Sequence, residues 1–400
     1  LTFVVILATL ASGGFSMSRF LIAIICLFVG SATALAWQEV LPETVTTPYL
    51  AYEAALGEQD YVTAEEAARE AWLAAKRARV ADETIGALAT NYGELARALG
   101  HYEQAYEAWR QSAEIADDLD DLPVERAWRW HNASMSAFLD GDMRDARRCS
   151  TRATNTLDRA EDRTGMDPAV TGDMYFLRAR LEAAAGRFRA VNRPAQQAVE
   201  AFEQSNREFD LAHGAAFYMQ GLGLIGRDQW AEAYFSMHMA QHIYERIDGQ
   251  TDASYRSEAL ARYAYSRLSR SWNDDLDEAF SADAAHARFP EHETPIAHED
   301  DIERPGFVDA EAVDREAPED PMEALREGYE GVVIVRYDID ASGRPENVEV
   351  LAEVPGGMFS EAATEAMSEW RYAPATQDGV AVAREDAMMH FMFQIGDRRR

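Results

Sequence analysis

Histidine pairs, a glycine-rich hexamer and a lone thiol are the residues in this 400-residue chain whose spacing invites a search for chemistry. His238 and His242 stand four apart on a predicted helix, a spacing that places two imidazoles on one face as zinc ligands. No Glu stands beside His238 to act as the base of a metalloprotease, so the pair reads as surface or packing residues. His286, His292 and His298 recur every six residues among acids, with no predicted scaffold to fix them around a metal. Gly221-Leu222-Gly223-Leu224-Ile225-Gly226 spells a dinucleotide fingerprint, yet a predicted helix leads into it where a strand is required. Of the two cysteines, Cys26 falls in an N-terminal leader and Cys149 in a helix-like run, which leaves no intrachain disulfide. There is no nucleophile elbow, no phosphate loop and no distinct carboxylate pair. The expectation is a protein with no enzymatic activity, no cofactor and no metal; an enzyme with a site in the groove of helical repeats is the outlying alternative.

Charge narrows the partners. The chain carries 70 acids against 38 bases, a net charge of -32, and its only lysine is Lys76. Nucleic acid is excluded, because phosphates demand clustered Lys and Arg. Adsorption to anionic lipid headgroups is disfavoured for the same reason. A 47% hydrophobic content suffices for folded cores, and the length allows two or three domains.

Residues 48–270 are rich in Ala, Arg and Glu and nearly free of proline. A turn signal recurs through them: Asp60-Tyr61-x-x-Ala64, Gly100-x-Tyr102-x-x-Ala105, Gly141-x-Met143-x-x-Ala146, Gly186-x-Phe188-x-x-Val191 and Asp228-x-Trp230-x-x-Ala233. The intervals between the small-residue positions are 41, 41, 45 and 42. Glycine ends one helix, the aromatic wedges between helices, and the small residue lets the next helix approach closely. This pattern resembles the tetratricopeptide repeat (TPR), with helices longer by about a turn each than its usual 34-residue unit. The resemblance implies a solenoid whose concave face takes a peptide or protein. Tyr92, Trp128, Trp130, Tyr175, Phe217, Tyr218 and Tyr234 read mostly as packing residues, with ligand contact the alternative for any one of them. Arg126, Arg129, Arg178 and Arg180 read as a solvated face or, alternatively, as a groove for an acidic segment. Tyr255–Leu268 reads as a capping helix.

Composition then shifts. Between Asn273 and Glu323 stand 18 acids, three arginines and five prolines, the signature of a solvated tether with Ile302 and Phe307 as anchor points. Beyond it, Gly331–Asp340 and Glu346–Leu351 are β-branched runs joined by Ala341-Ser342-Gly343, a predicted hairpin. Val333, Val335, Tyr337 and Ile339 fall on one face; Val332, Ile334 and Arg336 fall on the other. Phe359, Ala362, Ala363, Ala366, Met367 and Trp370 have helical spacing, and Pro374 ends that helix. Asp378-Gly379 makes a turn, and Ala387–Ile395 supplies a last strand.

Glu330-Gly331-Val332, Asp338-x-Asp340-x-x-Gly343, Ala362-Ala363, Glu369-Trp370-Arg371-Tyr372-x-Pro374-Ala375 and His390-Phe391-x-Phe393 together resemble the C-terminal domain of TonB, over roughly residues 320–395. TonB is the periplasmic protein that hands energy to outer-membrane receptors. Where that family carries Tyr-Pro before the first strand, this chain has Asp320-Pro321 and lacks the aromatic. The resemblance implies a partner strand, such as the N-terminal segment of a TonB-dependent outer-membrane receptor, added beside His390–Ile395. The implied partner-binding residues are His390, Phe391, Phe393, Ile395, Trp370 and Tyr372. A homodimer formed by strand exchange also stays open.

Met17-Ser18-Arg19, the apolar run Phe20–Gly30 and Ala34-Leu35-Ala36 before Trp37 read as a secretory signal peptide, with residues 1–16 an upstream extension. The rival reading is an uncleaved anchor over residues 20–37. TonB proteins use an anchor bearing Ser and His to couple to a proton-driven motor; Ser31 is present here and a histidine is not. The fold class expected is α+β and multidomain: leader 1–36, TPR-like solenoid 37–272, acidic linker 273–320, small α+β domain of TonB C-terminal type 321–396 and basic tail 397–400. The function expected is a periplasmic adaptor; the alternative is a membrane-anchored TonB-type energy transducer.

Overall fold

A computed structural model describes residues 41–160, 166–205, 210–268, 305–354 and 356–394. The leader with Cys26 and Ser31, the three spaced histidines, Ile302, Ile395 and the basic tail lie outside the described residues. The chain divides into two compact units at residues 207 and 208.

The N-terminal unit contains four antiparallel helix pairs: α1 (Glu43–Gly57) with α2 (Tyr61–Ala78), α3 (Asp82–Ala98) with α4 (Tyr102–Asp118), α5 (Pro123–Asp140) with α6 (Met143–Arg159), and α7 (Pro168–Ala184) with α8 (Phe188–Gln204). The C-terminal unit begins with α9 (Leu211–Ile225) and α10 (Trp230–Asp248), a fifth pair, followed by α11 (Asp252–Leu268). The recurring signal marks the second helix of each pair. Tyr61, Tyr102, Met143, Phe188 and Trp230 are first residues, not deep wedges: Met143 and Phe188 are about half exposed. The small residue three positions on does the packing, since Ala64, Ala105, Ala146, Val191 and Ala233 are fully buried. Gly100, Gly141 and Gly186 turn the chain at φ of 86°, 89° and 68°. At the matching positions of the first and fifth pairs, Gln59 and Asp228 adopt φ of 60° without being glycine. Asp60 and Asp142 cap the helices that follow them by accepting the N–H of Thr63 and Asp145.

The rest of the C-terminal unit comprises β1 (Phe307–Val308), β2 (Glu311–Asp314), α12 (Met322–Glu327), β3 (Gly331–Ile339), β4 (Pro345–Val354), α13 (Ser360–Glu369), β5 (Arg371–Ala373), β6 (Ala375–Gln377), β7 (Val380–Val382) and β8 (Arg384–Phe393). The main sheet is antiparallel in the order β4-β3-β8. Two smaller pairings bring in residues expected to be linker: β1 pairs β6 and β2 pairs β5. Trp370 donates its indole N–H to the Glu316 carbonyl at 2.7 Å, and Arg315 lies over the Trp370 ring at 5.0 Å. Phe307, expected as an anchor of the tether, begins β1.

The hairpin turn is fixed twice. Asp340 Oδ1 accepts the N–H of Ser342 and of Arg344 at 2.8 and 2.9 Å. Gly343 adopts φ of 83°, and a Cβ there would stand 1.8 Å from the Tyr372 carbonyl oxygen. Glu353 closes the loop after β4. Its carboxylate accepts the N–H groups of Gly357, Met358, Phe359 and Ser360 and the Ser360 hydroxyl, so it serves as the N-terminal cap of α13. Burial pushes the Glu353 carboxyl up, but those N–H and O–H donors outweigh it and hold it below its ordinary value.

Both faces of the main sheet are covered. Val333, Val335, Tyr337 and Ile339 meet Phe359, Ala363 and Met367 of the α13 side. Val332, Ile334 and Ala352 meet Tyr255 and Ala259 of α11. The opposite side of α11 packs Leu260, Ala261 and Ala264 against Met237, Leu224 and Ala233 of α9 and α10. The expected capping helix is therefore shared by two cores.

Candidate partner-binding edge

Strand β8 lies at one edge of the sheet and, among the described residues, pairs only with β3. The register sets Phe393 opposite Gly331, Phe391 opposite Val333 and His390 opposite Ile334. Directly opposed residues of an antiparallel pair share a face. Phe391 and Phe393 therefore point towards α13, and His390 towards α11.

The aromatic residues expected to meet a partner are core residues here. Trp370, Tyr372, Phe391 and Phe393 are buried, with Trp370 against Phe391 at 5.2 Å and Phe359 stacked on Phe393 at 4.6 Å. The Tyr337 and Tyr372 hydroxyls form a buried hydrogen bond of 2.7 Å. The Trp and Tyr side chains brace the sheet from behind, and β8 offers its outer backbone groups. An edge of unpaired N–H and C=O groups is a template for another strand.

His390 is tied down from the other face. Its Nε2 lies 2.7 Å from Glu258 Oε1 of α11, and Arg262 holds the same carboxylate at 2.8 Å. Burial pushes the Glu258 carboxyl up, but His390 and Arg262 outweigh it and hold it below its ordinary value. Nearby, Arg267 of α11 reaches the buried Glu330 at 2.5 Å. Sequence reasoning assigned no role to Glu258, Arg262 or Arg267. Their available signal was the four-residue spacing of Glu258 and Arg262, which puts opposite charges on one side of a helix that also carries two apolar faces.

In the repeats, three of the four flagged arginines are engaged by acids. Arg126 pairs with Asp117 and Asp120, Arg129 with Asp121, and Arg178 with the buried Glu182. Arg180 lies over the Phe138 and Phe176 rings at 5.0 and 5.7 Å. Tyr92, Trp130, Tyr175 and Phe217 are buried, and Trp128 packs edge-on against Trp109 at 4.9 Å. Tyr218 and Tyr234 pack against the α10–α11 core. His238 is exposed and stacks on Tyr234 at 5.9 Å. Gly221 of the glycine hexamer is where α9 meets Met237, with room for no Cβ. Cys149 is buried, and burial pushes its thiol up to about 11. Among the described residues no group of three or more His, Cys, Asp or Glu is placed to hold a metal ion.

Comparison with known proteins assigns the sheet domain. Residues 316–395 match the family model described as the Gram-negative bacterial TonB protein C-terminal. The C-terminal domain is of the TonB C-terminal type. Protein TonB of Pseudomonas aeruginosa is 39% identical over 79 residues, which cover 20% of this chain and 23% of that protein. Protein TonB of Yersinia enterocolitica is 36% identical over 85 residues, 21% of this chain and 31% of that protein. The chain thus spans less than a third of the length of these curated relatives. Among solved structures, the P. aeruginosa TonB C-terminal domain is 35% identical, with a TM-score of 0.21, over 23% of this chain and 92% of that one. A crystal structure of TPR-like repeats from a Podosopora anserina putative kinesin light chain is 12% identical, with a TM-score of 0.39, over 52% of this chain and 97% of that one. Among the described residues, no helix is long and apolar enough to cross a membrane.

Proposed function

We propose that this chain is a non-enzymatic interaction protein of the periplasm, in which β8 takes up an extended segment of an envelope partner and the helical repeats hold a second protein. One observation carries the first half: β8 is an edge strand whose alternate side chains are engaged by α13 and α11, leaving its outer backbone to do the binding. The family match supports a TonB-dependent outer-membrane receptor as the source of that segment. Backbone pairing gives affinity with little sequence selectivity. Holding two partners on one chain raises the effective concentration of each for the other.

Hydrogen exchange along residues 384–393, with and without a synthetic receptor N-terminal peptide, tests the first half. Slower exchange confined to β8 is the expected result; unchanged β8 amides at saturating peptide would overturn it. The second reading, an anchored energy transducer, is favoured by the TonB-type domain itself. Determining the N-terminus of the protein recovered from cells separates the two. A chain beginning at Trp37 in the soluble periplasm supports the adaptor, and an intact leader in the inner membrane supports the transducer.

A further inference from the structure

The flank of α11 that ties down His390 continues along β8 as an apolar wall. Glu258 of α11 stands beside His390, and Arg267, later on the same helix, reaches Glu330. Glu330 precedes Gly331, which is paired with Phe393. Helix α11 and strand β8 therefore run in the same direction. Tyr265 follows Glu258 by about two helical turns, which sets it on the same flank, within about 20° round the helix and about 10 Å further along. Met392 follows His390 on the same face of β8, about 7 Å further along. The two side chains are thus carried to a similar level of the sheet.

Both are open to solvent. Met392 is 40% exposed, although Val332 opposite it is fully buried, and Tyr265 is 45% exposed. The Tyr265 ring lies against Tyr234 of α10, centroids 5.8 Å apart, which holds it at the flank. Elsewhere on that face of β8, Met388 packs against the core under α11, and His390 is engaged by Glu258, which Arg262 also holds. Among the described residues, the apolar surface on this side of the edge is therefore concentrated at Met392 and Tyr265.

We infer that Met392 and Tyr265 form a seat for one aromatic side chain of the segment that β8 takes up. The inference rests on the reading of β8 as the partner-binding edge and gives that partner a chemistry. A strand added beside β8 sets alternate side chains on the α11 side, next to Met388, His390 and Met392. The side chain beside Met392 lies between its thioether and the Tyr265 ring. An aromatic ring there covers both, through sulfur–aromatic and ring–ring contact, and removes their apolar surface from water. The side chain beside His390 faces a carboxylate already matched by Arg262 and the imidazole, so a small polar group suits it. Backbone pairing supplies the affinity, and the seat fixes which residue of the segment lies beside which residue of β8. Tyr265 lies outside residues 316–395, so this selectivity belongs to the helical portion of the chain and not to the family match.

The test compares two fluorescein-labelled peptides, Val-Thr-Val-Phe-Val-Thr-Val and the same sequence with Thr in place of Phe. Each is titrated into the full chain and followed by anisotropy. In an extended peptide the Thr and Phe side chains share one face. The wild type is expected to bind the Phe peptide about tenfold more tightly, as partial burial of one phenyl ring allows. Y265S and M392T should each bring the Phe peptide close to the Thr peptide and leave the Thr peptide unchanged. Unaltered circular dichroism and melting confirm that the variants fold, and either variant alone suffices for the comparison. V380T removes another exposed apolar side chain, from β7, and should keep the preference intact. Equal affinity of the two peptides for the wild type, a preference that survives in both Y265S and M392T, or one lost equally in V380T would each overturn the inference. Hydrogen exchange of residues 384–393 separates the two readings. If both peptides bind equally and protect β8 alike, the edge stands and the seat falls; if neither protects β8, the edge reading falls with it.

Discussion

Substituting Glu353 by Gln probes the cap on which the C-terminal core depends. In the wild type one carboxylate takes up four backbone N–H groups at the start of α13, among them Gly357 at 2.7 Å and Met358 at 2.6 Å. Glutamine keeps one acceptor oxygen, loses the charge and turns an NH2 donor towards backbone donors. Losing an N-terminal cap costs about 0.5–2 kcal/mol, and a hydrogen bond to a charged group contributes about 1.5–3 kcal/mol. A net loss of about 2 kcal/mol is therefore expected at neutral pH. The assay is hydrogen exchange of the amides of residues 356–370 in the full chain. Two kcal/mol corresponds to exchange faster by a factor of about 30. The sign of the pH dependence follows from the depressed carboxyl. The stabilisation is present above the unfolded-state value of about 4.3 and is lost as pH falls through the lower folded value. The gap between wild type and E353Q should narrow as acid is added. Equal exchange at neutral pH, or a gap of constant size into the acid range, would refute the reasoning.

The left-handed turn residues give a second expectation. Gln59→Gly relieves a positive φ and should stabilise the N-terminal unit by up to about 1 kcal/mol, read from its thermal midpoint. Gly172→Ala should do the opposite, because its Cβ would lie 2.4 Å from the fully buried Phe202 ring; a loss of about 1–3 kcal/mol in urea unfolding is expected. A double-mutant cycle of His390→Ala and Glu258→Gln should give a coupling energy of about 0.5–3 kcal/mol, whereas additive losses would show that the contact adds nothing.

The two-faced apolar pattern of β3 was readable from Val332 and Ile334 as much as from Val333 and Val335. What covered the second face was not, because α11 carries its message in a stripe that any amphipathic helix carries. Tyr255 and Ala259 serve the sheet while Leu260 and Ala264, offset from them by about 100° or more round the helix, serve the helices. A helix apolar on two sides needs two neighbours, and that was the available clue. The repeat boundaries were legible because a buried alanine leaves little choice of residue at a close helix crossing. The aromatic before it was misread as a wedge, since its position as first helical residue places it near solvent. β1 and β2 were invisible within acidic, proline-bearing sequence: strands of two and four residues owe their form to β5 and β6, not to local propensity. At the candidate edge, sequence could name the strand but not the direction of its side chains. His390 and Phe391 are neighbours that serve opposite faces.

The double use of α11 bears on how the protein can be cut. A fragment beginning at residue 305 keeps every strand of the main sheet yet uncovers Val332, Ile334, Ala352 and Met388 to water. Such an apolar face beside an open strand edge invites self-association. Binding by that fragment would mix partner capture with its own clumping. A fragment beginning at residue 208 carries α9, α10 and α11 with the sheet and keeps both cores whole. The smallest faithful reagent for studying the edge is thus larger than the family match, and it has three helices at its front.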